Sequence, residues 1–260
     1  MNELTVVVSS CDKYADILPA FLEMFRKYWE KCQYSIVLTT QSEPQNLKKG
    51  DFDCVYAWGV NVPWTQRLLF ALKELDTPYI MFFLDDFFLN APFTNEQALH
   101  LLDIVKKHAA ASLKLIPSPE PPEKITDEYG KFVKGKAYRV TAQVTIWNRE
   151  YLIRLLENIV PSGPWNFERS GSFVSDQYPE LLLGTYCREF PYEEIICGAR
   201  WIASGRKFCE NENVKIDFSV RDNEPRWYLR YRQLRGLIFR INPTFITKII
   251  LKFQKDTNGR

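Results

Sequence analysis

Short apolar runs alternate with helical patterns through the N-terminal part of this chain, and this alternation constrains the fold more than any other sequence feature. The runs have the length and β-branched content of buried strands, and the segments between them place apolar residues on one helical face. The predicted strands are Leu4 to Ser10, Ser35 to Thr40, Cys54 to Trp58 and Tyr79 to Leu84. The predicted helices are one carrying Ile17, Phe21 and Phe25, one from Trp64 to Leu75 and one from Thr94 to His108. The pattern predicts an α/β fold with a Rossmann-like, mostly parallel central sheet flanked by helices.

The second half of the sequence continues this pattern less regularly. After the proline-rich stretch from Ile116 to Glu123, the alternation from Tyr138 to Trp147 is typical of a half-buried strand, and a helix is expected from Arg149 to Ile159. The segment from Pro161 to Ser175 shows no period and is predicted to be a loop over the site. Neither a P-loop nor a glycine-rich dinucleotide-binding motif is present in the sequence.

Two adjacent carboxylates, Asp85 and Asp86, directly follow the apolar run YIMFFL and precede more apolar residues. Carboxylates at the edge of such a core are costly to desolvate without a partner. A divalent cation is the natural partner, because Mg²⁺ and Mn²⁺ are commonly shared between one or two carboxylates and the phosphates of a substrate. The pair therefore predicts a metal site. The alternative is that Asp85 caps the strand and Asp86 pairs with a lysine or arginine.

Three motifs in this order resemble the GT-A glycosyltransferases: a strand that runs into Ser9-Ser10-Cys11-Asp12, a helix that starts at Trp64-Thr65-Gln66-Arg67, and LDDFF. In that family a DxD-type motif after a central strand binds the metal and the diphosphate of a nucleotide sugar. The aspartates are adjacent here, which leaves open whether Asp85 or Asp86 is the direct ligand. PWNFE, Gly171-Ser172 and the CGARW run from Cys197 also resemble bacterial proteins associated with capsule or lipopolysaccharide synthesis.

The resemblance implies a GT-A-like enzyme that moves a hexosyl unit from a nucleoside-diphosphate sugar to a glycan or glycolipid hydroxyl, with Mn²⁺ or Mg²⁺ as cofactor. The expected catalytic domain covers residues 1–222, with a nucleotide-sugar half of about 1–115 and an acceptor half of about 136–222. A basic amphipathic helical segment, 223–260, is expected to follow.

On the donor side, the resemblance implies that Ser9, Ser10, Asp12 and Tyr14 contact the base and ribose beside Asp85. Asp12 equally suits an ordinary helix start. The guanidinium of Arg67 can bind a diphosphate through two hydrogen bonds, and a surface salt bridge is its alternative role.

On the acceptor side, the resemblance implies that Glu168 deprotonates the acceptor hydroxyl, with Asp176 in reserve. Glu168 could instead be an exposed loop acid, and Asp176 lies where a helix is expected to start. Trp165 and Phe167 offer flat apolar faces for a sugar, and their alternative role is to pack the loop against the core.

The basic residues are concentrated between Arg226 and Lys255, where they are interleaved with aromatic and aliphatic ones. This composition is typical of a segment that lies on an anionic membrane surface, although it could also cap the core. Since the N-terminal residues carry no secretion-signal pattern, we expect a cytoplasmic protein at the inner face of the cytoplasmic membrane. With a net charge of only +2, a nucleic-acid partner is not expected.

Two other functions stay open at this point. One is a sugar nucleotidyltransferase, which should carry a glycine-rich loop after the first strand, whereas SSCDKY contains no glycine. The other is a non-catalytic glycan- or membrane-binding scaffold on the same fold.

Overall fold

The computed structural model describes residues 3–225 and Trp227. The N-terminal half of the chain contributes β1 Leu4–Ser9, β2 Ser35–Thr40, β3 Cys54–Ala57, β4 Tyr79–Leu84, β5 Phe87–Leu89 and β6 Ser112–Lys114. The second half contributes β7 Glu123–Lys124, β8 Tyr129–Lys131, β9 Thr145–Asn148, β10 Leu182–Thr185, β11 Tyr192–Glu194, β12 Ile196–Cys197 and β13 Arg200–Trp201.

The helices connect these strands across the faces of the sheet. They are α1 Leu18–Tyr28, α2 Trp64–Lys73, α3 Asn95–Lys107, α4 Arg149–Glu157, α5 Pro164–Val174 and α6 Ala203–Asn211, with short 3-10 helices at Asp12–Ile17 and Ser175–Gln177. α3 begins as the sequence predicts, because Thr94 and Gln97 form a reciprocal capping box. No helix in the described part of the chain is long and apolar enough to cross a membrane.

Nine strands form one sheet in the order β3-β2-β1-β4-β9-β6-β10-β8-β7. β8 and β9 run opposite to the other strands. The predicted α/β class, with a mostly parallel central sheet between helices, is thus confirmed. Because β9 lies between β4 and β6, the two expected halves of the catalytic domain build a single sheet.

The core has one apolar layer on each face of the sheet. Side chains of β1 alternate between the layers: Val6 and Val8 pack toward α1 and α3, and Val7 packs toward α2, α4 and α5. Every residue of β1 is buried. Strands that are covered on both faces have continuous apolar sequences, and for this reason β1, β2 and β4 could be predicted from the sequence.

The loop predicted from Pro161 to Ser175 is wrong, since α5 occupies most of it. Proline suits the first turn of a helix, and Pro164 takes that position. A Cβ on Gly171 would lie 2.8 Å from Cγ1 of Val140, so the missing side chain lets α5 approach this neighbouring segment. Because aromatic residues also lie on the exposed face of α5, its apolar residues do not recur with the helical period in the sequence.

The long strand predicted from Tyr138 to Trp147 is also wrong, because only β9 is formed there. Ahead of β9, side chains of α5 replace strand partners: the Val140 N–H donates to Ser172 Oγ at 3.1 Å and the Ala142 N–H donates to Glu168 Oε1 at 3.0 Å. The alternating apolar residues of this segment pack against the core, but its backbone forms no ladder of hydrogen bonds with any strand that the structure describes.

The predicted basic amphipathic segment 223–260 lies almost entirely outside the described residues. Its role at a membrane therefore stays a prediction.

Candidate active site

Asp85 and Asp86 form the tight turn between β4 and β5, at the carboxyl edge of the sheet. The Asp85 N–H donates to Ser9 O at 3.2 Å, and Ser10 Oγ donates to Asp85 Oδ2 at 2.5 Å. The Ile195 N–H donates to Asp86 O at 2.9 Å. These bonds tie the turn to the end of β1 and to the chain after β11, and they leave Asp85 only 2% and Asp86 only 7% exposed.

The surroundings of the turn oppose ionisation of both carboxylates. Burial raises the pKa of Asp85 to about 7, against the Ser10 hydrogen bond and the positive charge of Arg221. Burial, followed by the charges of Asp85 and Glu194, raises the pKa of Asp86 well above its ordinary value. Among the described residues, the buried Oδ1 of Asp86 has no hydrogen-bond partner. A bound cation would relieve these costs.

The donor set at this turn suits a cation that is shared with a substrate. Within residues 3–225 and Trp227, no group of three or more His, Cys, Asp and Glu side chains could hold a metal ion. Asp85 and Asp86 would supply one or two oxygen ligands, with phosphate oxygens and water completing the set, as is common for Mg²⁺. The unpartnered Oδ1 of Asp86 fits the role of such a ligand.

The loop after β1 lies beside this turn. Ser9 and Ser10 are buried at its start, and both contact Asp85. The Tyr14 hydroxyl accepts a hydrogen bond from the Ala199 N–H at 3.1 Å. Burial, with the charge of Asp86 next, raises the pKa of Tyr14 to about 12.

Asp12 begins the 3-10 helix and lies at the outer side of this loop. Its carboxylate accepts hydrogen bonds from the N–H and the Oγ of Ser42, each at 2.8 Å. The backbone of Asp12 therefore starts a helix, as the alternative role predicts. Its side chain connects the loop after β1 to the loop after β2 through these hydrogen bonds.

Arg67 lies in the first turns of α2 and is only 5% exposed. Its Nη1 donates to Val62 O at 2.8 Å, and the side chain forms no ion pair with the described residues. Burial lowers the pKa of Arg67, against the charges of Cys11 and Asp12. Among the described residues the surface salt bridge considered from the sequence is absent, and the charge of the buried Arg67 is within electrostatic reach of Cys11 and Asp12 in the loop after β1.

Glu168 belongs to α5 rather than to a loop, and it is half-buried. Its Oε1 accepts from Thr141 Oγ1 at 2.9 Å and from the Ala142 N–H at 3.0 Å, and its Oε2 has no hydrogen bond to the described residues. Thr145 at the start of β9 pairs with Phe82 of β4. The segment before β9, and Glu168 with it, therefore lies at the sheet edge that carries Asp85 and Asp86.

Tyr192 of β11 is buried beside β5, the strand that follows the Asp85-Asp86 turn. Its ring stacks on Phe87 at 4.3 Å between centroids. Burial raises the pKa of Tyr192, and the charges of Asp86 and Glu168 act in the same direction. The phenol therefore lies within electrostatic reach of both.

Asp176 has a structural role that its position in the sequence did not reveal. Its Oδ1 forms an ion pair with Arg139, whose side chain is 2% exposed, and its Oδ2 accepts from the Gly135 N–H at 2.9 Å. Both oxygens are thus engaged in holding the segment before β9. The reserve assignment of Asp176 as the base is corrected accordingly.

The two aromatic residues assigned to the acceptor have opposite environments. Trp165 is 61% exposed on α5, whereas Phe167 is 1% exposed. The Phe167 ring lies 5.5 Å from Trp64 and 6.5 Å from Trp147 between centroids. Phe167 therefore packs the helix against the core, which corrects its assignment as an acceptor contact, and Trp165 keeps an accessible face.

Sequence reasoning overlooked Lys114, a lysine inside the apolar run SLKLI. It ends β6 at 1% exposure, its Nζ donates to Ser118 O, and the Phe132 ring centroid lies 5.7 Å from Nζ. Burial lowers the pKa of Lys114 from 10.5 to about 7, against the charge of Glu168. A charged residue in a strand-like apolar run was the signal that could have identified it.

Lys114→Met is expected to change how stability depends on pH. Because the pKa of Lys114 is lowered by folding, the unfolded chain binds more protons between about pH 7 and 10.5, and stability rises with pH in this window. The unfolding free energy of the wild type, minus that of Lys114→Met, should therefore increase from pH 7 to pH 9, by up to about 1 kcal/mol per pH unit. Urea unfolding at both pH values measures it. A difference that stays constant contradicts the proposed environment of Lys114.

Comparison with known proteins finds similarity to solved structures only. No family model matches it, and no curated protein sequence matches it. Residues 1–349 of TarS from S. aureus are 14% identical, with a TM-score of 0.46 over 74% of this chain and 59% of that one. The chain thus spans less than two thirds of that TarS fragment. A nucleotidyl transferase from Methanothermobacter thermautotroptrophicus is 11% identical, with a TM-score of 0.47 over 72% and 89% of the two chains.

A cytidylyltransferase from Leptospira borgpetersenii is also similar, with 13% identity and a TM-score of 0.46 over 86% of this chain and 99% of that one. Identities and TM-scores of this size assign no activity. The function is therefore argued from the site itself.

Proposed function

We propose that this chain is a metal-assisted glycosyltransferase that moves a sugar from a nucleoside-diphosphate sugar to a glycan or glycolipid hydroxyl in surface polysaccharide synthesis. One observation carries the proposal. The buried Asp85-Asp86 turn, with its unpartnered carboxylate oxygen, shares a sheet edge with the half-buried Glu168.

On the donor side, Asp85 and Asp86 would hold the cation, and Ser10 orients Asp85 through its hydrogen bond. A divalent cation, Mn²⁺ or Mg²⁺, would supply positive charge there to stabilise the leaving nucleoside diphosphate. Arg67 adds a second positive charge near the loop after β1, where Ser9, Asp12 and Tyr14 are proposed to contact the nucleoside.

On the acceptor side, Glu168 removes the proton from the attacking hydroxyl. Its Oε1 is held by two donors, which leaves Oε2 to accept that proton. A base held in one orientation by fixed hydrogen bonds lowers the cost of reaching the reactive geometry. The exposed face of Trp165 on the same helix suits the apolar C–H surface of the acceptor sugar.

A sugar nucleotidyltransferase is the second candidate function. It would use the same metal-binding turn but needs no base for a sugar hydroxyl, and the glycine-free loop SSCDKY disfavours it. A non-catalytic scaffold is disfavoured by the desolvation cost of two buried carboxylates, which a protein without chemistry at this edge has no reason to retain.

The acceptor is proposed to be lipid-linked, with the basic segment 223–260 holding the enzyme at an anionic membrane surface on the cytoplasmic side. Basic residues near such a surface each contribute about 1 kcal/mol of binding, and salt weakens that attraction.

Binding of a nucleoside diphosphate is expected to require a divalent cation. Two carboxylates would otherwise repel the phosphates, so UDP or GDP should bind beside Asp85 and Asp86 only when Mn²⁺ or Mg²⁺ is present. Isothermal titration calorimetry with each nucleotide, with Mn²⁺ and after chelation, measures this dependence.

Equal affinity with and without the metal would remove the cation from the proposal. Two assays would separate the candidate enzymes: nucleotide sugars tested for hydrolysis and transfer, and a nucleoside triphosphate with a sugar phosphate tested for formation of a nucleotide sugar and pyrophosphate. Release of a nucleoside diphosphate supports the glycosyltransferase, whereas formation of a nucleotide sugar from a nucleoside triphosphate and a sugar phosphate supports the nucleotidyltransferase.

A further inference from the structure

We propose that Arg221 is a diphosphate-binding residue, whose Nε–H donates to a phosphate oxygen of the nucleoside diphosphate held at the Asp85-Asp86 turn. This inference rests on the proposed function and adds to the donor site a segment far along the chain. Sequence reasoning had assigned this segment no role at the site.

Arg221 belongs to a short segment, residues 217–224, that Trp201 holds in place. Trp201 Nε1 donates to Phe218 O at 3.1 Å, the Trp201 N–H donates to Asp222 O at 2.9 Å, and the Glu224 N–H donates to Trp201 O at 2.8 Å. Because Trp201 is 0% exposed and pairs with β12, the backbone on both sides of Arg221 is anchored to the core.

The guanidinium of Arg221 is enclosed by the loop after β1. Its centre lies 5.3 Å from the Tyr14 ring and 4.9 Å from the Trp201 ring, and the side chain is 5% exposed. Nη1 donates to Asp16 Oδ2 at 2.6 Å, while Nη2 donates to Asp16 Oδ1 and to Lys13 O. The cation is thus held by aromatic and ionic contacts at the loop that adjoins Asp85.

Nε is the one nitrogen of this guanidinium that donates no hydrogen bond to the described residues. The Nε–H is buried and has no hydrogen-bond partner among the described residues. A buried donor without a partner is energetically costly, and more so when it belongs to a charged group. Meanwhile the charge of Arg221 acts on Asp85, which places the guanidinium within electrostatic reach of the turn.

A purely structural role explains these contacts less well. Pairing with Asp16 uses only the two Nη atoms, and a lysine could satisfy that carboxylate without burying an unused donor. Arginine in a fixed orientation is suited to anionic oxygens because each of its donors points in a set direction. An oxygen of the diphosphate would satisfy the Nε–H and would add positive charge where Asp85 and Asp86 concentrate negative charge.

The test compares Arg221→Lys with a matched control, Arg206→Lys. Arg206 also lies over an aromatic ring of the same segment, 4.8 Å from Phe218, but its Nε donates to Glu210 at 2.8 Å. Calorimetry with Mn²⁺ measures the affinity for UDP or GDP, whichever the wild type binds, and NMR titration measures the affinity for the corresponding nucleoside. Arg221→Lys should weaken diphosphate binding at least about tenfold and leave nucleoside binding unchanged, whereas Arg206→Lys should change neither.

An equal loss of diphosphate and nucleoside affinity in Arg221→Lys would show a structural role and overturn the inference, as would unchanged diphosphate affinity. A second readout uses the wild type and does not depend on the folding of a variant: the Nε–H resonance of Arg221 should shift on adding the diphosphate and not on adding the nucleoside. The absence of that selective shift overturns the inference. If the wild type binds neither UDP nor GDP with Mn²⁺, the proposed function fails and this inference fails with it. If the wild type binds one of them and Arg221→Lys binds it equally well, the proposed function stands and only the role of Arg221 is excluded.

Discussion

Asp85→Asn and Asp86→Asn are each expected to reduce sugar transfer by a factor of about 10² to 10³ or more, while the melting temperature stays similar or rises. Both side chains are buried, and burial raises the pKa of each. Removing one of two clustered acids therefore relieves a cost in the ligand-free protein and removes the proposed ligand for the cation. Transfer is measured with a nucleotide sugar and Mn²⁺, and stability by differential scanning fluorimetry.

Asp103→Asn is a suitable control, because Asp103 is an exposed aspartate on α3 and should alter neither quantity. A purely structural role of the two aspartates predicts the opposite effect on the melting temperature. If Asp85 only caps the strand and Asp86 only pairs with a lysine or arginine, the variants should lose several degrees of melting temperature, and any loss of transfer should follow the loss of folded protein.

Glu168→Gln is expected to lower transfer by a factor of about 10² to 10⁴ without weakening donor binding. The substitution keeps an oxygen that can accept from Thr141 Oγ1 and the Ala142 N–H, so α5 and the segment before β9 should stay in place. What it removes is the second carboxylate oxygen, which is proposed to take the proton. Transfer rates and calorimetric affinity for the nucleoside diphosphate together measure the effect.

Glu150→Gln provides the matched control, since the Glu150 side chain is 70% exposed on α4. Near-normal transfer by Glu168→Gln would exclude Glu168 as the base. Asp176 could not readily replace it, because its two oxygens are engaged by Arg139 and the Gly135 N–H. A mechanism without an enzyme base would then be favoured.

The parts of the fold that the sequence predicted well are those stabilised by contacts with near neighbours or by complete burial. β2 and β4 have the predicted bounds, and α3 starts at its capping box. Apolar periodicity is a local property, so a helix or strand that buries a regular face can be read from its own residues.

The predictions that failed concern segments whose backbone partners are side chains from elsewhere. Residues ahead of β9 alternate like a strand, yet their N–H groups donate to Ser172 and Glu168 of α5. The period of α5 itself is hidden, because Trp165 and Phe173 lie exposed at 61% and 74%. Neither segment could be assigned without knowing that the two pack together.

For the site, the sequence by itself determined that Asp85 and Asp86 directly follow a buried strand, since the apolar run and the two acids are contiguous. Only the tertiary structure decided their neighbours: Ser10 lies 75 positions from Asp85, and Arg221 lies 205 positions from its partner Asp16. It also decided that Phe167 packs in the core, that Asp176 is an ion-pair residue, and that Lys114 is buried near Glu168. The physical reason is that hydrophobic periodicity repeats along the chain, whereas the environment of a charge depends on groups that only folding brings together.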